Sequence, residues 1–513
     1  MPPRATRREW IGLGVIALPC LLYSMDLTVL NLAVPRLSAD LKPSSAQLLW
    51  IIDIYGFLVA GSLITMGTLG DRIGRRRLLL IGAAAFGVAS VVAAFSTTAA
   101  MLIATRALLG VAGATLAPST LSLIRNMFLD PHQRTVAIGV WVTSYSVGGA
   151  IGPLVGGVML QYFWWGSVFL IGVPVMLLLL AVGPVLLPEF RDPKAGRLDL
   201  FSAALSLAAV LSVIYGLKRV AEGGAGWWPA VTTLTGLALG VAFVRRQRDL
   251  ADPLIDLRLF RIPAFSAALT LYMLGTLVAF GAYIFIAQYL QLVLGLTPLE
   301  AGLATVPSML GFVTGSMVVP WIARWVTPAS TMAGGLIFAA AGFGLLTQVD
   351  GASGLAVLIA GSVVYSLGIS PVVILATDLI VGSAPVARAG AASAISETSS
   401  ELGGALGIAV LGSIGVAVYR GAMADGVPNE IPAEAAEAAR ATLGGAVAVA
   451  ERLPEQVRLE LLSAARAAFA RAFQLTAAIS AAIALVLAPV ALALLRRVGR
   501  EGGGSEPPSD RSA

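Results

Sequence analysis

Polar residues along this chain come in short clusters. Between them lie apolar runs of roughly 18–25 residues that lack the every-second-residue alternation of a half-buried strand. Only helices or closed barrels can cross lipid, because unpaired backbone groups are too costly there. Continuous runs of this length therefore read as membrane-crossing helices. Fourteen are predicted. Six lie at 11–35, 47–69, 78–97, 100–123, 136–160 and 166–187, two at 200–217 and 229–244, and six more at 264–290, 299–322, 329–348, 354–381, 391–418 and 471–495.

The loops carry a second pattern. Alternate loops hold Arg72, Arg75, Arg76 and Arg77; Arg125 with Arg134; Arg191, Lys194 and Arg197; Arg245 to Arg261; Arg324; and Arg388. The loops between them are nearly free of Lys and Arg, apart from Arg36 with Lys42 and Lys218 with Arg219. Basic loops stay on the cytoplasmic side, so both termini are expected there, in a multi-pass protein of the cell membrane. Trp164, Trp165, Trp227 and Trp228 fall at expected outer interfaces, where indole rings favour the headgroup level.

Composition agrees: 58% of residues are hydrophobic and 12% charged, far from the balance of a soluble domain. The net charge of +6 belongs to the basic loops and implies a lipid bilayer, not a nucleic acid, as partner. The one cysteine, Cys20, lies within the first apolar run, so no disulfide or thiolate cluster forms within the chain. Lysine occurs only at positions 42, 194 and 218, none followed by Ser or Thr, which excludes a Walker A loop. No nucleophile–base pair or metal cluster is visible; neither an enzyme nor a metal or cofactor is expected. Arg4, Arg7 and Arg8 precede the first run, which no small-residue cleavage site closes, so it reads as a span. The outer loop 419–470 contains two segments of helical composition, Ala433–Arg440 and Glu455–Arg471, and the tail 501–513 has a disordered composition.

Charges within spans are expensive and point to function. They are Asp26, Asp53, Arg106, Asp378, Glu397 and Glu401. Asp26 precedes Pro35 by nine residues, about 13 Å inside the boundary. A carboxylate there can be neutral when desolvated or charged beside a cation, as exchange of a proton for a cationic substrate requires. Glu397 and Glu401 stand four apart on one helical face, where like charges favour protonation of one member. Glu401, the deeper, is expected to carry the proton, with Glu397 as co-site. Asp53 either lines the outer vestibule or serves structure, and Asp378 is expected in a structural pair. Arg106 needs a carboxylate partner, and Asp26 is the first candidate. Tyr23, Trp50, Tyr55, Phe57, Trp141 and Tyr145 lie near these acids in sequence. Rings attract lipophilic cations by about 0.5–2 kcal/mol each, although most are expected to be plain packing. Gly148, Gly152, Gly156 and Gly157, with Pro153, have the small-residue spacing of a close helix crossing, expected between the two halves of the chain.

Four stretches carry a family resemblance. Gly67-x-Leu69-Gly-Asp71-Arg72-x-Gly74-Arg75-Arg76 resembles the loop signature of the major facilitator superfamily. Arg106-x-x-x-Gly110 is similar to its second motif, and Gly148-x-x-x-Gly152-Pro153-x-x-Gly156-Gly157 to its antiporter motif. Asp26-x-Thr28-Val29-x-Asn31-x-Ala33-x-Pro35 resembles the motif of the fourteen-span drug:proton antiporters. Gln47 to Tyr55 and Glu397-x-x-x-Glu401-Leu-Gly403 look most like the quaternary-ammonium and dye exporters among them. The resemblance implies two six-helix bundles, residues 1–190 and 264–500, joined by two inserted helices within 191–263. It implies a monomer that exports hydrophobic, often cationic drugs in exchange for protons. The same fold would also suit a neutral or anionic metabolite or a lipid. Ser396 stands where relatives can show a further acid. The resemblance also makes Gly67, Asp71, Arg72, Gly74 and Arg75 a gate. Asp71 is expected to face the start of span thirteen, near Arg388 to Ala392, and Arg72 or Arg75 to pair with an acid such as Asp130. The counterpart loop, Pro320 to Pro328, has lost the acid and the glycine, so a single latch is expected.

Overall fold

The computed structural model describes residues 3–43, 45–191, 199–223, 226–250, 253–350, 354–424, 426–428 and 430–495. Within them every long element is a helix and no strand occurs. The first group comprises α1 (Arg7–Leu41), α2 (Ser45–Ile73), α3 (Arg75–Ala94), α4 (Ala99–Gly113), α5 (Leu116–Met127), α6 (Pro131–Tyr162), α7 (Ser167–Leu170) and α8 (Gly172–Leu186). Then come α9 (Leu200–Gly223) and α10 (Trp227–Asp249). The last group comprises α11 (Pro263–Gln288), α12 (Pro298–Ile322), α13 (Pro328–Leu346), α14 (Gly354–Ser383), α15 (Ala389–Met423), α16 (Ala433–Ala441), α17 (Leu443–Ala450) and α18 (Glu455–Leu495).

Thirteen stretches among the described residues are long and apolar enough to cross a membrane. The 32-residue α6 fills the place of the predicted span 136–160. Span four is not one helix: it breaks at Ala114 and Thr115, between α4 and α5. Span six likewise divides into α7 and α8.

Local chemistry sets the helix starts. Asp130 caps α6 by accepting from the Gln133 N–H, with Pro131 at the first position, where its missing N–H costs nothing. Thr297 and Glu300 close a capping box on α12, and Thr327 caps α13; each is followed by proline. Between α2 and α3 the chain turns at one residue. Gly74 has φ +111°, and a Cβ there would meet the Glu189 carboxylate at 2.6 Å, so only glycine fits.

Packing divides the helices as the chain order suggests. α1 lies along α6 and α8, and α3 fits among α4, α5 and α8. α11, α13, α14 and α18 pack together, with α12 against α14 and α15 against α11. The two groups meet where α2 and α5 touch α15, and where α6 touches α12 and α14. α9 and α10 form their own pair, and α9 rests on both α2 and α15.

The described residues of the loop 419–470 form a packed cap. Ile431, Ala439, Leu443, Ala446 and Leu461 are buried in one apolar cluster with Tyr289, Leu290 and Phe473. The Tyr419 hydroxyl donates to the Ala439 carbonyl at 2.9 Å. Residues 455–471 are not a separate surface helix. They continue unbroken into the last span, making α18 a 41-residue helix of about 61 Å, twice the thickness of the hydrocarbon core. The tail 501–513 lies outside the described residues.

Candidate transport site

Arg106 anchors the site. Its side chain is 1% exposed and meets Asp26 of α1 at 2.7 Å, with Asp26 itself 15% exposed. Its Nε donates to the Ile51 carbonyl at 3.1 Å, and its guanidinium lies 4.8 Å from the Tyr55 ring centre. A buried cation needs such a full set of partners, and the expected pairing with Asp26 is formed.

From Tyr55 a line of rings crosses the first group. Tyr23 stands 6.1 Å from Tyr55 and 5.5 Å from Tyr145, which is 4.8 Å from Trp141. Trp141 is held by donating to Thr120 Oγ1 at 2.9 Å, and Cys20 Sγ lies 3.5 Å from the same oxygen. Thr120 and Cys20 were not expected here, since neither carries a charge that would mark it within a span.

Opposite stand the two glutamates of α15. Glu401 is exposed and Glu397 half-buried. The charge of Glu397 bears on Tyr23, Tyr145 and Cys20 across the gap, and on Tyr272 of α11. Glu401 interacts with Tyr23 and with Tyr55. α15 packs against α2 and α5, so both acids lie on a helix by which the second group meets the first. Tyr272 was missed by the sequence, because nothing in α11 marks that face.

Two of the ring candidates fall elsewhere. Phe57 is buried with Ala60 and Ile214 and lies 6.4 Å from Tyr215, both of the latter two on α9. Trp50 is 44% exposed and edge-on to Phe57. Residues two apart on a helix do not share a face, so Tyr55 inward puts Phe57 outward. The side chains of Asp53 and Pro153 lie outside the described residues.

The glycine motif joins α6 to α1, within the first group, not the two halves to each other. A Cβ on Gly148 would lie 2.9 Å from the Leu21 carbonyl carbon, and one on Gly156 2.9 Å from Val29 Cγ1. Gly152 is buried, whereas Gly157 has open space around it. The contact between halves on α6 is made instead by Gly139, near the Ser316 carbonyl of α12.

The end bearing the basic loops is shut. Asp71 Oδ1 accepts from the Gly390 N–H and Oδ2 from the Ala391 N–H, each at 3.0 Å, at the first turn of α15. A helix N-terminus offers unpaired donors and a positive dipole end, so it holds a carboxylate well. Gly67 permits the approach: a Cβ there would lie 2.5 Å from the Gly390 carbonyl oxygen. Arg75 pairs with Asp71 at 2.8 Å and donates to the Val386 carbonyl at 2.6 Å. It does not reach Asp130, which is spent on capping α6. Arg72 is half-buried at the end of α2.

The latch is not single. Asp378 of α14 pairs with Arg134 of α6 at 2.5 Å and accepts from the Thr135 hydroxyl at 2.7 Å. Arg324 of the counterpart loop donates to His132 Nε2, at 2.9 Å from Nε and 2.6 Å from the terminal nitrogen. The loss of the acid and glycine from that loop therefore left a different cross-group contact. His132 lies ahead of the apolar stretch of α6; partial burial and the Arg324 charge hold its imidazole below the usual histidine range.

A family model described as Major Facilitator Superfamily matches residues 16–408. The chain belongs to the major facilitator superfamily. It is 44% identical over 447 residues to the multidrug efflux pump LfrA of Mycolicibacterium smegmatis, covering 87% of this chain and 88% of that one. It is 38% identical over 417 residues to the methyl viologen resistance protein SmvA of Salmonella typhimurium, covering 79% and 82%. Among solved structures, the human organic anion transporter MFSD10 superposes with TM-score 0.60 at 16% identity, covering 96% of this chain and all of that one. At that identity the likeness concerns the fold, here that of the superfamily's transporters.

Proposed function

We propose that the protein is a proton-driven exporter of hydrophobic, often cationic compounds. The observation that carries this reading is that each half of the fold holds an acidic centre within its apolar helices. One is Asp26 on Arg106 in the first group; the other is Glu397 with Glu401 in the second. The efflux and resistance functions named for the relatives LfrA and SmvA support it.

On this reading the basic loops and both termini face the cytoplasm, as the positive-inside rule requires. The latched end is then the inner one, and the conformation faces outward. Protons from outside neutralise Glu401 and Asp26, and the protein reopens inward. A cationic drug then displaces the protons and is carried out when the inner latches close. A ligand can shift this balance only by binding one state better than the other.

The test is dye efflux from inverted vesicles under an imposed pH gradient. Asp26→Asn and Glu401→Gln should each abolish gradient-driven ethidium transport. Full active transport in both variants would refute the assignment.

A further inference from the structure

The segment that follows the inserted pair is held by side chains from three parts of the fold. Leu254, within it, is fully buried. Its carbonyl accepts from Thr68 Oγ1 of α2 at 2.9 Å, and its N–H donates to Gln247 Oε1 of α10 at 2.7 Å. The carbonyl of Pro253 accepts from Arg388 at 3.4 Å, two residues before the Gly390 that Asp71 grips. Downstream the segment runs into α11, where Ser266 Oγ donates to the Phe260 carbonyl at 2.7 Å. The Thr68 bond therefore crosses the seam three residues before Asp71, from α2 to the chain that leads into the second group.

One acid fixes the direction of the bonds behind it. Asp199, paired with Arg246 at 2.7 Å, can only accept, so Ser202 Oγ gives it its proton at 2.8 Å. Ser202 Oγ is then left to accept from Gln247 Nε2 at 2.9 Å. That turns the amide so that Oε1 faces the Leu254 N–H. Gln247 and Ser202 are buried, so the amide is held away from water. Thr68 differs. Its hydroxyl also has the Ile64 carbonyl of its own helix at 3.0 Å. It can release Leu254 without being stranded, as a reversible tie needs.

We propose that the inserted pair is a brace for closure, with Gln247 the positioning residue that presents Leu254 to Thr68. Docking of Leu254 joins the inserted pair and the second group to α2 and holds the basic end shut, alongside the Asp71 and Asp378 contacts. α9 supports the brace further from that end, where Ile214 packs with Phe57 and Ala60 of α2, and Ala405 of α15 borders the same cluster.

Thr68→Val keeps the shape of the side chain and removes the hydroxyl, whereas Thr68→Ser keeps the hydroxyl. Spin labels on the exposed Leu129 and Trp325 read the basic end of the full-length protein. Thr68→Val should raise its open-to-closed ratio about fivefold, the scale of one neutral hydrogen bond, and Thr68→Ser should leave it near the wild type. Gln247→Leu should act as Thr68→Val does, although it lies in neither group. Both substitutions break one docking, so the double variant should open the end no further than the more open single variant. Labels on the exposed Arg77 and Arg258 should separate in the same variants. The distances are read without substrate, so they do not depend on the exporter reading. Unchanged distances in Thr68→Val overturn the proposal. Equal opening by Thr68→Val and Thr68→Ser does so too, since it would trace to packing. Fully additive opening in the double variant would remove the positioning role of Gln247. The Thr68 variants decide the matter even where Gln247→Leu fails to fold.

Discussion

The carboxylate of Asp71 and the backbone N–H of Gly390 meet at 3.0 Å across the seam between two groups of helices, 319 residues apart in the chain. The contact ties the two groups together at the basic end, so its loss should bias conformation and not ligand affinity. Asp71→Asn replaces one acceptor oxygen by a donor that faces an N–H, and removes the charge held by Arg75. Hydrogen bonds to a charged group are worth about 1.5–3 kcal/mol, enough to move a balanced two-state equilibrium. Spin labels on the exposed Leu129 and Trp325 should report a wider basic end in the variant, while dye affinity stays nearly intact. A large affinity loss with unchanged distances would contradict this division of labour.

Arg134 and Asp378 form a second, independent tie. Both side chains are 13% exposed, so removing one partner strands a poorly hydrated charge. Asp378→Asn should open the same end partially, and the double variant Asp71→Asn with Asp378→Asn should open it further than either alone. Distance distributions in the double variant no broader than those of Asp71→Asn would mean that Asp378 serves folding only.

The sequence led to some of these ties and not to others, for physical reasons. The charge at Arg106 demanded an acid, and few acids lie at its depth, so Asp26 could be named in advance. Asp71 was placed by its resemblance to a known loop. Asp378 was read as half of a structural pair, but its partner Arg134 sits 244 residues away on another bundle, and only the docking of bundles brings them together. The tie from Arg324 to His132 escaped for the same reason. It was further hidden by the loss of the acid and the glycine from that loop. The cap was half legible: helical composition at 433–440 and 455–471 was clear, but the fusion of the second segment with the last span depends on packing against α11 and α17. The break between α4 and α5 carried a mark that the predicted span ran through: Pro118 has no N–H to offer the Ala114 carbonyl, and Gly113 precedes the turn.

The His132 contact makes closure sensitive to pH. Arg324 donates to Nε2, which must therefore be unprotonated. Asp130 acts in the opposite sense, favouring the charged ring, but burial and Arg324 outweigh it. Closing thus lowers the proton affinity of His132 relative to an open state in which the ring is free. By linkage the contact is fully present above the usual histidine range and is lost as pH falls through the depressed value of the closed state. Label distances at the basic end should grow on acidification to about pH 5, starting from the unperturbed value near 6.5. His132→Gln, which retains an acceptor and cannot titrate there, should flatten that part of the profile. A profile unchanged by the substitution would assign the response to another group.

The glycine motif offers a prediction in which two of its glycines behave oppositely. Gly148 lies against the backbone of Leu21, with the carbonyl carbon at 2.9 Å and Cα at 3.0 Å from an added Cβ. Backbone cannot rotate away as a side chain can, so Gly148→Ala must push α6 from α1. Overpacking of this kind costs about 1–3 kcal/mol, and here it also displaces the helix that carries Trp141 and Tyr145. The expected result is a lower melting temperature in detergent together with weaker dye binding. Gly157 shares the motif but meets nothing within 4 Å. Gly157→Ala should therefore be tolerated, and the better helix propensity of alanine adds up to about 1 kcal/mol of stability. If the motif served the seam between the two groups, both substitutions would instead alter the label distances at the basic end. If it is a crossing of α1 with α6, only Gly148→Ala should be damaging, and its damage should appear first as lost thermal stability.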